Sequence, residues 1–204
     1  QGDKTGDEPL SETVKKYLKM KYNKPGNVFL GVVHRLDRPV SGLVTFAKTS
    51  KALSRLNDMF RNGDVHKTYW ALTRNYPPAE EGTLTHWLRR NEQQNKSYAY
   101  DKEVPGSKKA MLKYRVIGHG DNYTLLEVNL LTGRHHQIRC QLAKMGCPIK
   151  GDLKYGAKRS NADGSISLLS RHVEFIHPVS KELIKADAPL PDGPVWRDLA
   201  PKDE

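Results

Sequence analysis

The apolar positions change period along the chain. Early on they recur at helical spacing twice. Val14, Tyr17 and Leu18 share a face behind a capping Ser11, and Leu53, Leu56 and Phe60 share another behind Ser50. Pro25-Gly26 stops the first segment and Gly63 the second. Between them, Val28 to Val33 reads as a buried strand, and Leu43 to Ala47 as another after the turn Pro39-Val40-Ser41-Gly42. From His66 the pattern becomes that of a sheet. Thr68 to Thr73, Thr83 to Arg89, Ala110 to Ile117 and Tyr123 to Leu131 are expected strands, with polar residues 91–107 forming a long loop or ragged hairpin. A third helix is expected from about His135 to Met145, with Ile138, Leu142 and Met145 as its stripe and Gly146 as its stop. Ile166 to Ile176 and Leu183 to Ala186 read as closing strands around a His177-Pro178 turn. The expected fold is α+β, or mixed α/β, with more strands than helices. Without a linker, it is expected as a single domain over residues 1–204.

Composition narrows the function. Against 23 acidic residues stand 34 Lys and Arg, a formal net charge of +11 over 204 residues. Such a surplus fits a polyanionic partner, most often nucleic acid, or else a solvated basic surface. No apolar run approaches membrane-spanning length. Cys140 and Cys147 make neither a disulfide framework nor a four-cysteine zinc site, so a reducing cytoplasm is the expected location. His136 and Cys140 have helical metal-pair spacing but no further ligands to join them. Phosphate loops of the G-x-x-x-x-G-K-[ST] type are missing, which argues against nucleotide-driven chemistry.

Two segments concentrate reactive side chains. In His34-Arg35-Leu36-Asp37-Arg38-Pro39-Val40-Ser41-Gly42-Leu43, a lone carboxylate sits between guanidiniums at a strand end, before a turn. Asp37 there is either a reactive carboxylate kept ionised or one half of an ion pair that ties the turn down. In Leu131-Thr132-Gly133-Arg134-His135-His136-Gln137-Ile138-Arg139, a strand passes through a tight turn into a cationic helix start. That is either a phosphate seat or a capped helix with solvated charge. His135 and Arg139, four apart, are expected on one helix face.

Together these segments resemble the RluA-type pseudouridine synthases, with H-R-L-D-R-x-x-S-G-L followed by T-G-R-x-H-Q-I-R. Lys67-Thr68-Tyr69-Trp70-Ala71-Leu72 is similar to the family's K-x-Y-x-A segment. The run from Gly146 through Pro148, Gly151, Asp152 and Tyr155 to Gly156 is similar to its G-x-P-I-x-G-D-x-x-Y-G stretch, and Phe175-Ile176-His177-Pro178 to its closing F-x-H-P. Two departures stand out. The upstream N-x-K-P-x-G block is missing, which reads as a chain beginning just after it. The family's L-H-A is replaced by Leu168-Leu169-Ser170.

The resemblance implies a pseudouridine synthase catalytic fold, a largely antiparallel mixed sheet with flanking helices and a central cleft. It implies cofactor-free isomerisation of uridine to pseudouridine in structured RNA, ribosomal or transfer. The expected enzyme is a monomer that needs no membrane and no metal. Asp37 is then the reacting carboxylate, by attack on C1′, attack on ring C6, or removal of a sugar proton. Arg139 is its fixed cation, and Tyr69 stacks on the base or takes the C5 proton. Arg35 fills the stack left by an extruded base or grips its phosphate, or else is an ion-pair partner of Asp37. Arg134, His136 and Gln137 extend the RNA contacts, and Leu168 walls the pocket. The rival readings are a non-catalytic RNA-binding protein or RNA chaperone on the same fold, and a DNA-binding module reading bases from the helix at His135.

Overall fold

The computed structural model of the chain describes residues 5–202. Its elements run α1 (Leu10–Lys21), β1 (Gly31–Val32), β2 (Ser41–Gly42), β3 (Phe46–Ala47), α2 (Ser50–Asn62), β4 (His66–Thr73), β5 (Glu81–Asn91), β6 (Lys96–Tyr100), β7 (Lys108–His119), β8 (Thr124–Leu130), α3 (Gln137–Lys144), β9 (Leu168–Ile176), β10 (Leu183–Asp187) and α4 (Pro194–Leu199). Two compact units share them. One takes residues up to Leu36, Val44–Val65 and Phe175–Ile184; the other takes Asp37–Leu43, His66–Glu174 and the chain from Lys185 onward.

In the first unit the helices start slightly away from the expected caps. Pro9, not Ser11, precedes α1, and its carbonyl accepts from Glu12 N at 2.9 Å. Thr49, not Ser50, caps α2, accepting from Ala52 N at 3.1 Å from an extended backbone. Such a cap contributes about 1 kcal/mol. Gly63 closes α2 with φ 78°, as its position predicted. The apolar run at 28–33 shrinks to a two-residue strand pairing Gly31 with Ala47 and Val32 with Phe46. Phe29 and Val32 are 45% and 44% exposed, so apolar content overstated burial there. His34 is a pin within this unit. Its Nε2 accepts from Thr45 N at 2.8 Å, and its ring stacks on Phe60 at 4.9 Å.

The second unit is built on an eight-stranded sheet in the order β10-β9-β4-β8-β7-β5-β6, with β2 joined to β9. The pairs β4–β8, β4–β9, β5–β6, β5–β7 and β7–β8 are antiparallel, and β2 runs parallel to β9. This is the expected α+β arrangement, a largely antiparallel mixed sheet with flanking helices. Strand alternation sorts its two faces. Tyr69, Ala71, Leu112, Leu126 and Val128 face one way and are buried, and α3 lies on that side. Leu72 and Leu125 face the other way and join Leu169, Ala188 and Trp196 in a second cluster. α4, which no sequence signal announced, supplies Trp196 to that cluster.

The polar stretch at 91–107 contains β6, an edge strand set on β5 by pairs such as Trp87–Tyr100 and Arg89–Tyr98. Ser41-Gly42, expected as turn residues, instead form β2.

Candidate active site

Asp37 sits at the start of a tight turn, its carbonyl accepting from Val40 N at 2.9 Å. That turn is fixed to β9 rather than left loose. Ser41 and Gly42 pair in parallel with Leu169 and Ser170, Leu43 N donates to Ser170 O at 3.0 Å, and Ile166 N donates to Pro39 O at 3.0 Å. Gly42 makes this approach feasible. Its φ is 117°, and a Cβ there would lie 2.3 Å from Ser170 O, so any larger residue would push the turn off the strand.

Arg139 reaches Asp37 from α3. It is 5% exposed, too buried for a guanidinium without partners. Nε and Nη2 donate to the two carboxylate oxygens of Asp152 at 2.8 and 2.9 Å, a bidentate fork. Nη1 is left to donate to Asp37 Oδ2 at 3.4 Å and to His136 Nε2 at 3.2 Å. The guanidinium also lies 5.1 Å over the Tyr155 ring. Burial works against its charge, but its hydrogen bonds to Asp152 and the charges of Asp152 and Asp37 outweigh this and hold the cation firmly protonated.

Asp152 owes its place to a compact turn. Gly151 enters it with φ 86°, and a Cβ there would lie 2.7 Å from the Asn161 side chain. Asp152 O accepts from Tyr155 N and Ala157 N, through a short 3₁₀ turn at Leu153–Tyr155. The carboxylate is thereby 1% exposed directly beneath Arg139, and three residues later Tyr155 returns to the same cluster. Its hydroxyl accepts from Ser97 N at 2.9 Å and lies 2.8 Å from His136 Nδ1.

His136 adopts φ 52°, a left-handed conformation uncommon for a non-glycine residue, at the start of α3. Burial, then the Arg139 charge, push its pKa down to about 3, so the ring is neutral near pH 7. Because Arg139 only donates, Nε2 is assigned as the acceptor, and Nδ1–H points at Tyr155. Asp37 Oδ2 lies 3.6 Å from the same Nε2. With its side chain 33% exposed, Asp37 is the open end of an otherwise buried chain of groups.

Tyr69 projects from β4 opposite Val128 and Ser170. It is 8% exposed, and burial raises its pKa. A hydrogen bond with Ser170 pulls the other way, while the negative Asp37 adds to the rise. The hydroxyl is therefore a neutral phenol in the resting site. Leu168 lies two residues before Ser170 on β9, opposite Ala71 and 4% exposed, on the Tyr69 side of the sheet.

The remaining expected contacts separate. His135 does not share a helix face with Arg139, because α3 begins only at Gln137. Its ring stacks on His136 at 3.7 Å and bonds to Ser97 Oγ and Asn95 Oδ1. Gln137 is 3% exposed and spends its amide inside the turn. It accepts from Arg134 N and Thr132 Oγ1 and donates to Met111 O, so it pins the T-G-R corner instead of facing outward. Arg134 is exposed, and its Nε donates to Lys109 O at 3.0 Å. Arg35 is exposed and lies at the end of the first unit. Asp152 and Tyr155 were missed as site residues. The signal was present in the G-D-x-x-Y-G spacing, but nothing local shows that Asp152 faces Arg139.

Residues 2–144 match the family of RNA pseudouridylate synthases. An uncharacterized RNA pseudouridine synthase of Chloroflexus aurantiacus is 38% identical over 81% of this chain and 52% of its own length. Ribosomal large subunit pseudouridine synthase C of Vibrio cholerae is 32% identical over 82% of this chain and 54% of its own. The chain thus spans about half the length of these curated relatives. The solved structure of human RNA Pseudouridylate Synthase Domain Containing 1 superposes with a TM-score of 0.72 at 25% identity, covering 96% of this chain and 82% of that one. On matched blocks, relatives and fold alike, the chain belongs to the RNA pseudouridylate synthase family, in its RluA-type branch.

Proposed function

We propose that this chain converts uridine to pseudouridine in RNA, with Asp37 as the reacting carboxylate. The observation that carries the reading is the Asp37–Arg139 contact at 3.4 Å, in which the cation is buried and doubly anchored while the carboxylate stays open. A carboxylate held against a fixed cation at the open edge of the site is what each opening step needs, whether on the sugar or on the ring.

The reaction balances without a co-reactant. The N1–C1′ bond breaks, the uracil turns, C5 bonds to C1′, C5 loses its proton and N1 gains one. Tyr69 offers the base a flat face within the field of Asp37. Being a protonated phenol, it handles the C5 proton only by passing its own hydroxyl proton onward, and Ser170 is its hydrogen-bond partner. Arg139 has no spare charge for RNA, because its fork is spent on Asp152. RNA contact falls to exposed cations such as Arg134 and Arg35. The name of the Vibrio cholerae relative favours large-subunit ribosomal RNA as substrate.

The test is tritium release from RNA labelled at uridine C5, with ribosomal and transfer RNA from cells lacking the gene. The chain should release tritium from ribosomal RNA and leave pseudouridine in the digest. Asp37→Asn should bind the RNA with near-parental affinity and lose turnover by orders of magnitude. Binding without conversion by the parent protein would restore the non-catalytic RNA-binding reading.

A further inference from the structure

The sheet of the second unit has a face that the catalytic reading does not use. On β5, His86 and Leu88 are buried toward α3, so Thr83, Thr85, Trp87 and Arg89 point to the opposite side. On β7, Ala110, Leu112 and Tyr114 are buried, so Lys109, Met111 and Lys113 share that opposite side. Register brings these rows together: Trp87 faces Lys109 and Tyr100, Arg89 faces Tyr98, and Thr83 faces Lys113. Tyr69 and Arg139 belong to the α3 side, so this is the reverse of the catalytic face.

Its chemistry is one-sided. Arg89, Lys109 and Lys113 are exposed, and among the described residues none of the three has a carboxylate within ion-pair distance. Two acids share this face and both act on Arg115: Glu127, which accepts from it at 2.8 Å, and Glu81, its cross-strand neighbour on β5. The Arg89 guanidinium lies over Tyr100, 5.2 Å from the ring centre, and donates to its hydroxyl at 2.9 Å. Tyr98 is 39% exposed beside it, with Lys96 5.3 Å from its ring. Protein-binding patches are depleted in lysine at their centres. Flat aromatic rings alternating with unpaired cations on an open sheet are instead what single-stranded nucleic acid requires: stacking faces for bases and charges for phosphates.

We propose that this reverse face of β5, β6 and β7 is a second RNA-binding surface, on which bases of a single strand stack on Trp87 and Tyr98 while Arg89, Lys109 and Lys113 hold the phosphates. β6 is the edge of the sheet, so no further strand bars an RNA passing from one face to the other. The biological setting rests on the isomerase reading above; the binding itself does not.

The probe is a 20-residue oligoadenylate, which contains no uridine and cannot be a substrate. Three tryptophans are present, so binding is followed by fluorescence quenching in the parent and in Trp87→Phe, alongside anisotropy of labelled RNA. Quenching should be strong in the parent and largely lost in Trp87→Phe, with affinity held within about threefold. Tyr98→Ala should weaken binding by about fivefold or more. Lys109→Glu with Lys113→Glu should weaken it at least tenfold and flatten the salt dependence by more than one unit of log–log slope, each phosphate contact contributing about 0.7. Circular dichroism confirms folding of these surface variants. Parental affinity and slope in the double charge reversal would overturn the proposal. So would unchanged quenching in Trp87→Phe, or a parental dimer in light scattering that the charge reversal dissolves, which would mark a protein-binding face. Pseudouridine formation measured in parallel separates the two readings, since loss of oligoadenylate binding with intact isomerisation sinks only this surface.

Discussion

Asp152→Ala is the sharpest test of how the site is held. Arg139 is 5% exposed and Asp152 1%, joined by two hydrogen bonds at 2.8 and 2.9 Å. Removing the carboxylate strands a buried guanidinium whose remaining acceptors are Asp37 at 3.4 Å and a neutral imidazole at 3.2 Å. Breaking such a pair from one side costs about 3–5 kcal/mol. For a chain of this size, that lowers the melting temperature by about 6–20 °C. Asp152→Asn keeps the shape and one acceptor, so it should lose about 1–3 kcal/mol. Activity should fall in both variants through kcat more than KM, because Nη1 no longer has a fixed direction toward Asp37. The double replacement Arg139→Met with Asp152→Leu removes both charges. It should recover most of the stability while remaining inactive, since a buried pair replaced by apolar groups of similar size is often neutral. Urea and thermal unfolding of the four proteins measure this. If Asp152→Ala unfolds within about 0.5 kcal/mol of the parent, Asp152 is not the anchor of Arg139.

Tyr69→Phe and Tyr69→Ala should differ. If the hydroxyl relays the C5 proton, the Phe variant stalls after glycosidic cleavage, and quenched-flow digestion shows a built-up intermediate. Near-parental activity in Phe with loss in Ala would make stacking its whole role. Gly42→Ala should destabilise by about 1–3 kcal/mol through the φ of 117° alone and displace the Asp37 turn from Ser170. Activity in that variant should collapse well before unfolding, and full activity with an unchanged melting curve would show that the β2–β9 contact does not position Asp37.

The sheet strands and the third helix were legible because period-two and period-3.6 patterns are strong where one face is buried, as in β5 and β7, while β4 and β8, buried on both faces, show as continuous apolar runs. The edge strand β6 was not, because Lys96, Tyr98 and Tyr100 leave only Ser97 and Ala99 to face inward. The run at 28–33 misled in the opposite sense, being apolar without being a long strand. In the site, Asp37, Tyr69 and Arg139 were found by matched motifs, and the fold brings them together. Gln137 and His135 carry functional-looking chemistry in sequence but are occupied locally, by the T-G-R corner and by β6. Asp152 was the converse, a carboxylate whose significance lies in a contact across 13 residues that no local pattern displays.

His136 turns this packing into a pH dependence. The ring is 8% exposed, hemmed by Arg139, His135 and Tyr155, with the Lys154 and Arg90 charges acting on it in the same direction. Its pKa falls from the ordinary 6.5 to about 3 on folding. Between those values the unfolded chain binds a proton that the folded protein refuses, so stability rises with pH across this window and is lost as pH falls below about 6.5. One such group contributes a slope of up to about 1.4 kcal/mol per pH unit, or about 2 kcal/mol between pH 7 and pH 5. His136→Asn keeps a residue that tolerates the left-handed backbone and removes the titrating ring. It should lower stability at pH 7 through the lost Tyr155 and Arg139 contacts, yet show a shallower decline toward pH 5 than the parent. The difference between the two slopes, rather than either melting point, isolates the ring from every other titrating group the two proteins share. Urea unfolding at half-unit steps from pH 5 to pH 8 reads it directly. Parallel stability curves for the two proteins would mean that the ring takes up its proton in the folded state, and that burial and the Arg139 charge do not hold it neutral.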